Sequence, residues 1–195
     1  MSTLGRARWA AAVGLLALLV ALAGCAGSGA SASTRPQPRS AGPAPSPSRW
    51  PAGIAGGACL LLDYEQIEQV IGVAFDVAAA GDALDTFTCV LQPQGASLPD
   101  LTLAVTPTTV DSVVFKNTVM PKGSTAVANL GRVAYSAVLP AGASSGPVVE
   151  VGWLAGNGRL IVLRFRFPTG AAAGDATALA PKLAELGKKI DLSSA

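Results

Sequence analysis

The residues able to do chemistry in this 195-residue chain are few, and the missing ones are as informative as those present. The chain has no histidine, so a Ser-His-Asp or Cys-His nucleophile and any imidazole metal site are excluded. Gly142-Ala143-Ser144-Ser145-Gly146 spells the Gly-x-Ser-x-Gly nucleophile elbow. That motif needs a strand before it, a helix after it and a base elsewhere. Here Pro140 precedes it and Pro147 follows it, so it reads as a turn. Asp63, Glu65 and Glu68 cluster, but calcium takes six or more oxygens from a loop, and no Asp-x-Asp-x-Asp-Gly run exists. Glu65 and Glu68 read instead as the wet face of a helix, with Asp63 as its cap. Arg164 and Arg166, with Arg159 nearby, form a basic strip on one face of a strand. They are the candidate contact for an anionic group or a glycan, against the alternative of an ordinary polar strand face. Trp153 alternates with Val149 and Val151, which places it in a core rather than on a ligand. The sequence calls for no metal and no cofactor.

These residues have to be positioned by a chain of three unlike parts. Residues 1–24 open with Arg6 and Arg8 and continue as an apolar run from Trp9 to Gly24. As a helix the run spans about 24 Å, short of the roughly 30 Å of a bilayer core. A basic start, a short apolar run and small residues at its end make a secretory signal. The run closes with Leu22-Ala23-Gly24-Cys25, which resembles the lipidation box of bacterial lipoproteins. The resemblance implies cleavage before Cys25, which becomes the diacylglyceryl-modified, N-acylated first residue. Several acyl chains on one residue give a durable anchor, making the membrane the first expected partner, on its extracytoplasmic side.

Residues 25–57 then hold six prolines among Gly, Ala and Ser, with only Trp50 and Ile54 as bulky apolar residues. Such a segment lacks the apolar surface to fold and reads as a tether with a root-mean-square reach of roughly 30 Å. Residues 58–195 carry the domain. Asp63-Tyr64-Glu65-Gln66 is a capped helix start, Ile67, Val70 and Ile71 share a face, and Gly72 is a stop. Strands are expected at Thr86–Leu91, Leu101–Thr106, Thr125–Leu130, Arg132–Val138, Val148–Ala155 and Leu160–Phe167. Gly156-Asn157-Gly158 makes a hairpin of the last two. A helix between Thr109 and Val119 would bury Val113, Val114 and Phe115. A last helix over Asp175–Ile190 carries Leu179, Leu183, Leu186 and Ile190 on one stripe. Pro181 would either delay its start to about Ala180 or kink it. The fold class is α+β: an antiparallel sheet of five to six strands against two or three helices.

Cysteine arithmetic completes the domain. With Cys25 assigned to lipid, Cys59 and Cys89 remain as a pair in an oxidising compartment. A disulfide is expected there; a redox or metal-binding pair is the weaker alternative, given the wide spacing. Cys59-Leu60-Leu61, the short acidic helix ending Ile71-Gly72, the strand with Cys89 and Asn129-Leu130-Gly131-Arg132-Val133-Ala134-Tyr135 together resemble a family of actinobacterial secreted lipoproteins. Its two-cysteine domain has no known function. Relatives commonly carry Gly-Leu-Gly-(acid)-x-Ala-Tyr where this chain has Asn129 and Arg132. The resemblance covers roughly 58–190 and brings no catalytic residues.

The formal charge of +2 averages the parts: +2 from the signal, +3 from the tether (Arg35, Arg39, Arg49) and −3 from the domain. No clustered basic face points to nucleic acid. The expectation is a non-enzymatic interaction or accessory module at the cell envelope, meeting an envelope protein, glycan or lipid. The alternative is a carrier or sensor for an apolar or amphipathic ligand held between helices and sheet.

Overall fold

The computed structural model describes residues 50–190; the signal, Cys25 and the tether up to residue 49 lie outside them. Helix α1 (Tyr64–Ile71) starts as its sequence dictates. The Asp63 carboxylate accepts from the Gln66 amide at 2.7 Å, and Gly72 closes the helix in the left-handed conformation with φ 77°. Ile67 and Ile71 are buried and Val70 half-buried, while Glu65 and Glu68 face outward. Two 3-10 turns, Ala52–Ala55 and Gly57–Leu61, precede α1. Ala52 is buried within the main core, so the fold takes in the last residues of the stretch read as tether. Small alanines can enter a core there, and Trp50 and Ile54 stay exposed.

Among the described residues, seven strands form one antiparallel sheet, one more than the upper end of the expected five to six. They are β1 (Val77–Ala83), β2 (Thr86–Gln92), β3 (Asp100–Pro107), β4 (Thr125–Ala126), β5 (Val133–Leu139), β6 (Val148–Ala155) and β7 (Arg159–Arg166). Their spatial order is β1-β2-β3-β7-β6-β5-β4. The additional strand is β1. Its alanine-rich sequence carries no β-branched alternation, and its pairing with β2 alone makes it a strand. The two are joined by Leu84-Asp85, both at positive φ. The expected strand Thr125–Leu130 shortens to two residues, since Asn129 and Gly131 both take the left-handed conformation and end it. The Gly156–Gly158 hairpin joins β6 to β7 as expected, with Ala155 opposite Arg159.

The pleat sends alternate residues to opposite faces. On one face Leu103, Val151, Trp153, Leu163 and Phe165 are buried, and helix α3 (Ala173–Ile190) packs there against β6 and β5, burying Leu179, Leu183, Leu186 and Ile190. Contrary to a start near Ala180, α3 begins at Ala173 and runs through Pro181. Pro181 and Thr177, four residues earlier, are both exposed, so the carbonyl that loses its intrahelical donor can turn to water. Among the described residues, only the β5–β6 end of the other face is covered. A single turn α2 (Ser112–Val114), capped by Asp111, runs into a π turn at Phe115–Val119. Phe115 is buried against Tyr135, ring centroids 5.8 Å apart. Val113 and Val114, expected to bury, are 65% and 45% exposed. So short a helix turns one residue inward, and the aromatic ring takes that place.

Candidate functional site

The uncovered part of that second face carries the basic strip. Alternation along β7 buries Ile161, Leu163 and Phe165 and turns Arg164 and Arg166 outward. Across the ladder Arg164 stands opposite Glu150 and Arg166 opposite Asp100. Arg164 donates from Nε to Glu150 Oε2 at 2.8 Å and also from Nη2. Arg166 donates from Nε to both Asp100 oxygens, at 3.0 and 2.9 Å, and from Nη2 to Oδ2. Asp100 is fully buried and Glu150 nearly so, while both arginines stay half-exposed. Hydrogen bonding to Asp100 raises the Arg166 pKa above its ordinary value.

Tyr135 on β5 extends the network. Its hydroxyl donates to Glu150 Oε1 at 2.7 Å. Burial first, then the bond to Glu150, raise its pKa well above the usual phenol value. The candidate anion-contact residues are thus brought together on one face, beside a shallow hollow of about 340 Å3 with Thr102 and Ala104. Each already holds a carboxylate, so the strip is locally neutral. Sequence reasoning missed Asp100, Glu150 and Tyr135. The available signal was a lone acid within or leading an apolar strand run, which a buried partner has to compensate.

A second feature lies at the end of the sheet where the chain enters the fold. Gly57, Leu60, Leu61, Phe87, Val105 and Pro107 line an apolar groove of about 310 Å3, with Arg159 on its rim. Leu60 is 71% and Phe87 47% exposed, although the turn and strand they belong to bury Cys59, Cys89 and Leu91. By contrast, the layer between α3 and the sheet, where the alternative reading would place an apolar ligand, is filled by Trp153, Leu163, Leu183 and Leu186, all fully buried.

The remaining motifs have structural duties. Cys59 and Cys89 form a disulfide with Cα atoms 4.9 Å apart, tying the turn before α1 to β2. Gly142–Gly146 lies in the loop between β5 and β6. In Asn129–Tyr135, Leu130 is buried, and Gly131 sits where a Cβ would come within 2.5 Å of the Leu154 carbonyl oxygen; the motif is a tight entry into β5. Among the described residues, no group of three or more Cys, Asp or Glu side chains is placed to hold a metal, and no helix is long and apolar enough to cross a membrane. The fold is thus an α+β sheet-and-helix domain with one disulfide. No family model, curated protein or solved structure matches this chain.

Proposed function

We propose that this protein is a membrane-anchored extracytoplasmic lipoprotein, held by lipid on Cys25, whose domain is a non-enzymatic interaction or accessory module of the cell envelope. The observation that carries this reading is how the polar side chains are used. Arg164, Arg166, Glu150, Asp100 and Tyr135 bind one another, Asp63 and Asp111 cap helices, and the Cys59–Cys89 thiols are joined. What the domain presents is shape and apolar surface, including Leu60 and Phe87 at the groove. Such surface suits contact with an envelope partner. Two measurements test it. Mass spectrometry of the mature N-terminus should find acylated Cys25, and an unmodified Ala26 or intact Met1 would sink the anchor. Proximity labelling in intact cells should return the same envelope partner repeatedly, and less of it with Phe87→Ser; no reproducible partner would sink the module.

The groove also favours a second reading, a carrier or sensor for an amphipathic ligand. Its 310 Å3 is at the lower end of small-molecule sites, roughly 300–1,000 Å3, and Arg159 could meet an anionic head. Native mass spectrometry of the purified protein decides this: co-purifying lipid supports the carrier, and bare protein mass removes it.

A further inference from the structure

Leu84 is the most exposed large apolar residue described, at 98%, and its backbone φ is 48°. With Asp85 at φ 61° it makes a two-residue turn of the type that asks for Asn, Asp or Gly. A leucine there is disfavoured twice, by the backbone and by water. The strand it terminates is unusual as well. β1 is an edge of the sheet, and of its seven residues all but half-buried Ala78 are exposed. It has no lysine or proline of the kind that keeps such edges apart, and its one charge is Asp82. At the far end of β1, Trp50, Ile54, Tyr64 and Val77 line a depression of about 300 Å3, with Trp50 78% and Ile54 64% exposed.

We propose that β1 pairs antiparallel with β1 of a second copy of this chain, about a two-fold axis at Ala80, with each Leu84 seated against the other copy's Trp50–Val77 depression. Two observations and an estimate of buried area single out a second copy. The first is hydrogen bonding: the hairpin closes at Ala83 opposite Thr86. Alternation along the ladder then leaves the N–H and C=O groups of Ala78, Ala80 and Asp82 turned away from β2. A two-fold at Ala80 matches Ala80 with itself and Ala78 with Asp82, outward group to outward group. The second is shape: the same register brings Leu84 to the level of Asp76, on the border of the depression. The knob and the hole lie at opposite ends of one strand, the arrangement an isologous contact needs. The third is size: the strand pair with these apolar residues would bury roughly 1,000 Å2, near the lower limit for a specific interface. That describes a weak, reversible dimer with a continuous fourteen-stranded sheet, and anchoring on a surface would favour it by raising local concentration.

Sedimentation velocity on the full chain with Cys25→Ser, in non-ionic detergent and across a concentration series, tests this. The protein mass per particle should double with concentration. Leu84→Asn should hold it at the monomer while raising the melting temperature, because Asn suits the left-handed turn. Ala80→Pro, which removes only an outward N–H on an edge strand, should also hold it at the monomer. A wild-type monomer at every concentration overturns the proposal, as does a dimer indifferent to both variants. Binding to phosphatidylglycerol vesicles that Leu84→Asn abolishes, in a chain that stays monomeric, would overturn it in favour of a lipid surface.

Discussion

The ring of Tyr135 lies directly over Gly152, its cross-strand partner between β5 and β6. A Cβ on Gly152 would fall 2.5 and 2.6 Å from two ring carbons and 2.7 Å from the hydroxyl oxygen. The glycine is therefore the space in which the tyrosine lies, and the tyrosine in turn reaches Glu150 and covers the sheet beneath Phe115.

Replacing Gly152 with Ala should thus destabilise the protein by about 1–3 kcal/mol, the usual cost of overpacking. Denaturant unfolding of the single variants and the pair with Tyr135→Ala checks this. Removing the ring should relieve much of the Gly152→Ala defect, and strictly additive losses would contradict the assignment.

Tyr135 also predicts a pH dependence. Its raised pKa means that the folded state keeps the phenol proton after the unfolded chain, at about pH 10, has lost it. The stabilisation is complete below that pH and declines above it, by up to about 1.4 kcal/mol per pH unit from this group. Tyr135→Phe should flatten this component of the alkaline decline, at a cost of about 1–2 kcal/mol near neutral pH from the lost bond to Glu150. An unchanged alkaline slope in urea titrations would refute it.

Asp100 depends on Arg166. With the carboxylate fully buried, Arg166→Ala should cost about 2–4 kcal/mol, since an uncompensated buried charge remains, discounted for water reaching the half-exposed site. Pairing it with Asp100→Val should restore most of that loss. If Arg166→Ala alone is neutral in chemical denaturation, the pair contributes nothing.

The Cys59–Cys89 bridge closes a loop of 30 residues. Cys59→Ser with Cys89→Ser should lower stability by about 3.5 kcal/mol in the chain-entropy model. Thiol titration of the denatured, unreduced wild-type protein should find neither cysteine free. Two free thiols would contradict the bridge, and an unchanged unfolding midpoint in the double variant would contradict its role.

What the sequence determined alone was mostly local. The Asp63 cap, the Gly72 stop, the Gly156–Gly158 hairpin and the alternation of Ile161, Leu163 and Phe165 with Arg164 and Arg166 depend on a few adjacent residues. The physics acts over one turn or one pleat, so each was legible without the fold. The pairing of two cysteines was legible too, by counting. Tertiary structure decided everything that needed a partner distant in the chain. Ala-rich β1 is a strand only because β2 lies beside it. Pro181 is tolerated because its helix turns that position to water. Arg164 and Arg166 look like a free basic strip until the ladder sets Glu150 and Asp100 opposite them, the latter 66 residues away in sequence. Register and burial arise from the whole sheet at once, and they converted a candidate binding strip into two internal ion pairs while leaving Leu60, Leu84 and Phe87 outside.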